Sequence, residues 1–175
     1  MNCLSLSRRD EVNRYNNSVH VISTAHDQSK VYTYYWRVSD IDEKLLQWET
    51  GRSERSSTFH VGDDGYAMYL RFTPKYFPDG TIFLSVGLTI GLHDSQLIWP
   101  FPLPIRIEIL DLAATNKPED RRSRLWDPAT VCSPYFWGRP GTFAAQSNNP
   151  ECVGLSMPRQ LLVSERKYIR NDCLL

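Results

Sequence analysis

Residues 94–111 read Asp94-Ser95-Gln96-Leu97-Ile98-Trp99-Pro100-Phe101-Pro102-Leu103-Pro104-Ile105-Arg106-Ile107-Glu108-Ile109-Leu110-Asp111. The second part alternates strictly, with Ile105, Ile107 and Ile109 on one side and Arg106 and Glu108 on the other. A period of two residues marks a strand with one wet face and one buried face. In the first part Trp99 stands in apolar surroundings and reads as core filling. His93 beside Asp94 reads as a turn pair rather than a catalytic dyad. Half-wet strands belong to antiparallel sheets.

The chain around this stretch has the same texture. Val31-Tyr32-Thr33-Tyr34-Tyr35-Trp36-Arg37-Val38 is a β-branched and aromatic run, hence a strand. Asp40-Ile41-Asp42-Glu43 has the spacing of a capping box, so Leu45, Leu46 and Trp48 are expected to make a helical turn that Gly51 ends. Ser57–Val61 and Tyr66–Phe72, joined through Gly62-Asp63-Asp64-Gly65, read as a hairpin. Thr81–Ile90 carries a continuous apolar run, which predicts a central strand paired on both sides. Residues 113–140 are rich in loops. Pro158 opens a short helix at its first position, and Tyr168–Leu175 closes the chain as a final strand. The expected architecture is all-β: an antiparallel sandwich of about eight strands with at most one or two short helical turns.

Residues 1–30 are polar. Val12, Tyr15, Val19 and Ile22 fall at coiled-coil spacing, but two heptads with Asn13, Asn16 and Asn17 among them make a poor helix. The segment is expected to be a polar arm, with a coiled-coil stub as the alternative, and residues 31–175 to be the sandwich.

The 175 residues are 41% hydrophobic and 12% aromatic, too apolar for a disordered chain. Twenty basic residues balance twenty acidic ones, so no general attraction to nucleic acid or anionic membrane is expected. The local run Arg121-Arg122-Ser123-Arg124 follows Glu119-Asp120 and reads as a solvated loop. No apolar run reaches the ~18 residues of a membrane span, and no signal-peptide pattern opens the chain. Cys3, Cys132, Cys152 and Cys173 form no C-x-x-C pair. Free thiols in a reduced, cytoplasmic protein are therefore expected. No nucleotide, zinc-protease or nucleophile-elbow motif occurs. Neither an enzyme nor a cofactor nor a metal is expected. Aromatics on a sandwich also stack on sugars, so a carbohydrate-binding module is an alternative from another class. Trp126 and Trp137, in the proline-rich region, are the tryptophans that leave it open.

Several marks fall in the order of one family. Asp94-Ser95-Gln96-Leu97-Ile98-Trp99-Pro100-Phe101, followed by the alternating strand to Leu110-Asp111, strongly resembles the C-terminal domain of tumour-necrosis-factor-receptor-associated factors (TRAFs), part of the wider MATH family. Tyr35-Trp36-Arg37-Val38-Ser39-Asp40-Ile41 looks like that family's opening strand. Gly65-Tyr66 before Leu70-Arg71, Arg139-Pro140, and Tyr168-Ile169-Arg170-Asn171-Asp172-Cys173-Leu174-Leu175 resemble later marks. The likeness covers roughly residues 31–175. Asp94-Ser95, the loop Pro74–Gly80 and Asn149-Pro150 are most similar to the branch serving Toll and interleukin receptors.

The resemblance implies a non-catalytic adaptor that binds short extended peptides, from cytoplasmic receptor tails or their adaptor proteins, along a sheet edge by β-augmentation. It places Arg71 at the family arginine that meets the acidic or aromatic end of the peptide, and Asp79 at a loop aspartate. It also implies groove positions at Thr73, Gly87, Val153 and Leu155, where this chain departs from the family's aromatics. No RING or zinc-finger pattern occurs. An alternative within the family is a MATH-type domain recruiting substrates to a ubiquitin ligase through serine-rich peptides. The family trimer rests largely on a coiled coil, so this chain is expected to form a weak homotrimer or a monomer.

Overall fold

A computed structural model describes residues 14, 16–23, 29–62, 65–113, 117–142 and 146–175. In chain order the elements are β1 (Val19–Ser23), β2 (Lys30–Tyr34), β3 (Val38–Ser39), α1 (Ile41–Gln47), β4 (Glu54–Arg55), β5 (Phe59–Val61), β6 (Tyr66–Thr73), β7 (Thr81–Leu88), β8 (Glu108–Ile109), β9 (Arg121–Arg122), α2 (Pro134–Trp137), β10 (Gly154–Pro158), α3 (Arg159–Glu165), β11 (Ile169–Arg170) and β12 (Cys173–Leu174). Every strand pair is antiparallel.

The principal sheet runs β10-β7-β6-β4, with β5 also on β6. As its apolar run predicts, β7 is paired on both sides. Alternation sorts its residues between two faces. Met68, Phe72, Ile82, Leu84, Val86, Leu88 and Met157 turn inward and are buried. They share one core cluster with Trp36, Val38, Ile41, Leu45, Phe101, Ile107, Ile109, Trp126, Trp137, Tyr168, Ile169 and Leu174 from the opposing layer. Two layers closing on one apolar core make the sandwich. Trp126 and Trp137 are thus core residues, at 6% and 2% exposure, which removes the observation behind the sugar-stacking alternative.

Local departures from the sequence reading have identifiable causes. The stretch Ile105–Leu110 keeps its alternation, with Ile107 and Ile109 buried. Only Glu108 and Ile109 form a regular ladder, because Ser123 inserts its hydroxyl: Ile107 N donates to Ser123 Oγ (3.0 Å) and Ser123 N donates to Ile107 O (2.9 Å). The basic run is ion-paired, Arg122 lying 3.2 Å from Asp120 and 3.3 Å from Glu108. The capping box is not made. Asp40 is left-handed (φ 54) and makes no side-chain cap bond. Asp172 takes the role instead, its Oδ1 accepting from Asp42 N at 2.7 Å. Pro158 ends β10 and is the N-cap of α3 rather than its first residue. The expected final strand is a hairpin, since Asn171 and Asp172 are both left-handed (φ 50 and 55) and turn the chain between β11 and β12.

The segment preceding residue 31 is partly sheet. β1 pairs with β2 from Val19–Tyr34 to Ser23–Lys30. Asn16 accepts from Arg37 N (2.9 Å) and Asn17 accepts from the Tyr34 hydroxyl (3.1 Å). Val19 and Ile22 therefore do not continue a coiled-coil helix; Val12 and Tyr15 lie outside the described residues.

Candidate functional site

The outward face of the principal sheet is not apolar. Across β6 and β7 it presents the opposed pairs Tyr69–Gly87, Arg71–Ser85 and Thr73–Phe83. The rows continue to β10 as Ser85–Gly154 and Phe83–Ser156, and on the other side to Arg55 of β4 opposite Arg71. Among the described residues β10 pairs with β7 alone, so it is an edge, and Ser156 on it is exposed.

Arg71 sits at the centre of a polar cluster. Its Nε donates to Glu151 Oε1 at 2.7 Å and its Nη1 to Ser53 Oγ at 3.1 Å. The Tyr69 hydroxyl donates to the same Glu151 oxygen at 2.6 Å and lies 3.1 Å from Asn149 O. The Arg55 guanidinium stacks 4.4 Å over the Tyr69 ring; its Nη groups donate to Ser56 O and Thr58 Oγ1, both at 3.0 Å. Two arginines directly across a ladder would repel; here Glu151 pairs with Arg71 and the electron-rich Tyr69 ring faces both guanidinium groups. Burial pushes the Tyr69 phenol up, and the Glu151 carboxylate adds to the effect, to about 12. Burial disfavours the Arg71 charge, but bonding to Glu151 more than offsets it and holds that pKa above its ordinary value.

The segment carrying Glu151 is anchored on both sides of it. Asn149 N donates to Leu88 O (2.9 Å), and the buried Asn149 Nδ2 donates to Phe136 O (2.9 Å) and Gly138 O (2.8 Å). Cys152 is disulfide-bonded to Cys132, with Cα atoms 6.6 Å apart. The expectation of free thiols is corrected here: twenty residues of loop bring two cysteines without a short motif within bridging distance. Cys173 is free and buried; Cys3 lies outside the described residues.

The residues expected from the sequence divide between two faces. Arg71, Thr73 and Gly87 share the outer face. Val153 and Leu155 do not: Leu155 is opposite Leu84, and both pack with the core. Their neighbours Gly154 and Ser156 take the outward positions. Asp79 stands apart in its loop, its Oδ1 accepting from Thr81 N and Thr81 Oγ1 at 2.8 and 2.7 Å. Those bonds hold its carboxyl below the usual range. It borders an open depression lined by Arg159, Gln160, Val163 and Ser164 on α3. Thr73 is 4% exposed, while the nearby aromatics Tyr76 and Phe77 are 45% and 55% exposed. Tyr76 lies 4.7 Å from the Phe83 ring.

Two central members, Tyr69 and Glu151, were not singled out by the sequence reading. Tyr69 was accessible to it, since two residues before Arg71 on a strand is the same face. Glu151 had no local signal. Among the described residues no group of three or more His, Cys, Asp or Glu converges to hold a metal ion, and no helix is long and apolar enough to cross a membrane.

TRAF5 of Notothenia coriiceps, a solved structure, is similar in fold, with a TM-score of 0.61 at 22% identity over 79% of this chain and 68% of that one. No curated protein matches the sequence. The MATH domain model matches residues 33–175. That span runs from within β2 to the last residue and takes in both layers of the sandwich, the edge strand and the Arg71 face, so the chain belongs to the MATH domain family, a family of protein-interaction domains.

Proposed function

We propose that this chain is a non-catalytic adaptor domain that takes an extended segment of a receptor tail or its adaptor protein along the edge of β10. The observation that carries this is the pairing of β10 on one side only, beside an outer face of hydroxyl, guanidinium and aromatic groups. An edge strand offers unpaired N–H and C=O groups to another chain. A peptide added there sends alternate side chains over Ser156, Gly154 and the rows leading to Arg71. Asp79, beyond those rows, is proposed to meet the end of a longer peptide. Val153 and Leu155 are proposed to support the edge from the core side.

The exposed Ser156 favours a second reading within the same geometry. In it the peptide is serine-rich and belongs to a substrate recruited to a ubiquitin ligase.

Calorimetry against receptor-tail peptides, with and without a central glutamate, and against serine-rich peptides separates the two readings. Amide shifts at Gly154–Met157 report docking at the edge. N-methylation of alternate peptide residues is expected to abolish binding in one phase only, because alternate amides face the strand. The absence of heat and of β10 shifts with every peptide, from a folded protein, would sink the proposal.

A further inference from the structure

Arg71 already has a carboxylate partner. Its Nε is bonded to Glu151, its Nη1 to Ser53, and the Tyr69 hydroxyl holds the same carboxylate oxygen. Glu151 does not reach in from a free loop. Its segment is fixed by three hydrogen bonds of Asn149 and by the Cys132–Cys152 bridge. The carboxylate is thus presented to the guanidinium at the high effective concentration of an intramolecular partner. The Arg71 and Glu151 side chains are 33% and 20% exposed, so the pair is within reach of a ligand.

We infer that Glu151 is a specificity-determining residue: it fills the place of a ligand carboxylate on Arg71, so the face selects extended peptides with an uncharged hydrogen-bonding side chain there and rejects acidic ones. This rests on the edge docking proposed above. An incoming Asp or Glu must displace an anchored carboxylate or lie against it at close range, and like charges at such distances repel. An incoming Ser, Thr, Asn or Gln meets no such penalty. Both bonds to Glu151 fall on Oε1, so Oε2 keeps acceptor capacity for a hydroxyl or amide donor. Arg55 does not replace Arg71 as the donor to an acidic residue, because its Nη groups are bonded to Ser56 and Thr58 and its guanidinium lies over the Tyr69 ring.

The test passes a capped peptide pool, with Gln, Ser, Thr, Val, Asp and Glu equally represented at every position, over immobilised protein. Retained peptides are sequenced for wild type, Glu151→Gln and the double variant Arg71→Gln/Glu151→Gln. Unfolding midpoints and backbone amide spectra establish that each is folded. Wild type is expected to retain acidic side chains at one position below their input share. Glu151→Gln leaves the Arg71 charge uncompensated, its amide oxygen being a weaker and displaceable acceptor, and is expected to raise the acidic-to-amide ratio there about tenfold, the scale of a charge-assisted bond. Removing Arg71 as well returns the ratio to neutral. Enrichment of acidic residues by wild type, or an unchanged ratio in Glu151→Gln, overturns the inference while leaving the docking proposal standing. Retention of no peptide by any variant overturns both.

Discussion

The Tyr69 ring fills the space that a side chain at Gly87 would need. The two residues are directly opposed on β6 and β7, and a Cβ built on Gly87 would lie 2.6 Å from both Cζ and the hydroxyl of Tyr69. The glycine is there for close approach rather than for backbone freedom. The family resemblance implies an aromatic at position 87; in this chain the ring crosses from the neighbouring strand instead, and its hydroxyl reaches Glu151. Gly87→Ala must therefore move Tyr69. It is expected to destabilise the protein by about 1–3 kcal/mol in denaturant unfolding, the usual cost of overpacking. Adding Tyr69→Ala should recover part of that loss, so the two changes will not be additive.

Tyr69 also makes stability depend on alkaline pH. Its pKa is raised to about 12 in the folded protein, against about 10 for an unfolded tyrosine. Folding therefore favours the neutral phenol. That contribution is complete below pH ~10 and is lost as the pH rises from there through about 12. Ultraviolet titration should show one tyrosine ionising late, and Glu151→Gln should bring it to a lower pH by removing the carboxylate while leaving the burial. A tyrosine spectrum unchanged by Glu151→Gln would contradict the bond between them.

The Cys132–Cys152 bridge closes a loop of 20 residues. A loop of that size is expected to contribute about 3 kcal/mol through the unfolded state. Cys132→Ser with Cys152→Ser should lower the unfolding midpoint accordingly, and reductant should do the same to wild type but not to the double variant. Hydrogen exchange at residues 149–152 should quicken in both cases. Equal midpoints with and without reductant would count against the bridge.

Asn149 is 7% exposed and caps two carbonyls with one amide group. Asn149→Ala leaves Phe136 O and Gly138 O without their donor and is expected to cost about 2–4 kcal/mol. Asn149→Asp should cost more, because it sets an acceptor against two acceptors. Thermal unfolding of the pair decides the order.

The apolar run of residues 82–88 and the alternation of 105–110 place β7 at the centre of a sheet and Ile107 and Ile109 in the core without any coordinates. The same local rule places Tyr69 beside Arg71 and, in Gly154-Leu155-Ser156-Met157, turns Leu155 inward and Ser156 outward. The expectation of Val153 and Leu155 as groove positions came from family likeness rather than from this period of two, which turns both side chains toward the core.

The β class, the identity of the long strands and the inward alternation of side chains are legible along the chain, because they depend on neighbours one or two residues apart. The long-range partners emerge only on folding. Arg71 meets Glu151 across 80 residues, Asp172 caps a helix across 130, and Cys132 finds Cys152 with no motif between them. Charges, caps and thiols carry no periodicity, and their pairing depends on which loops the closed sandwich brings into contact.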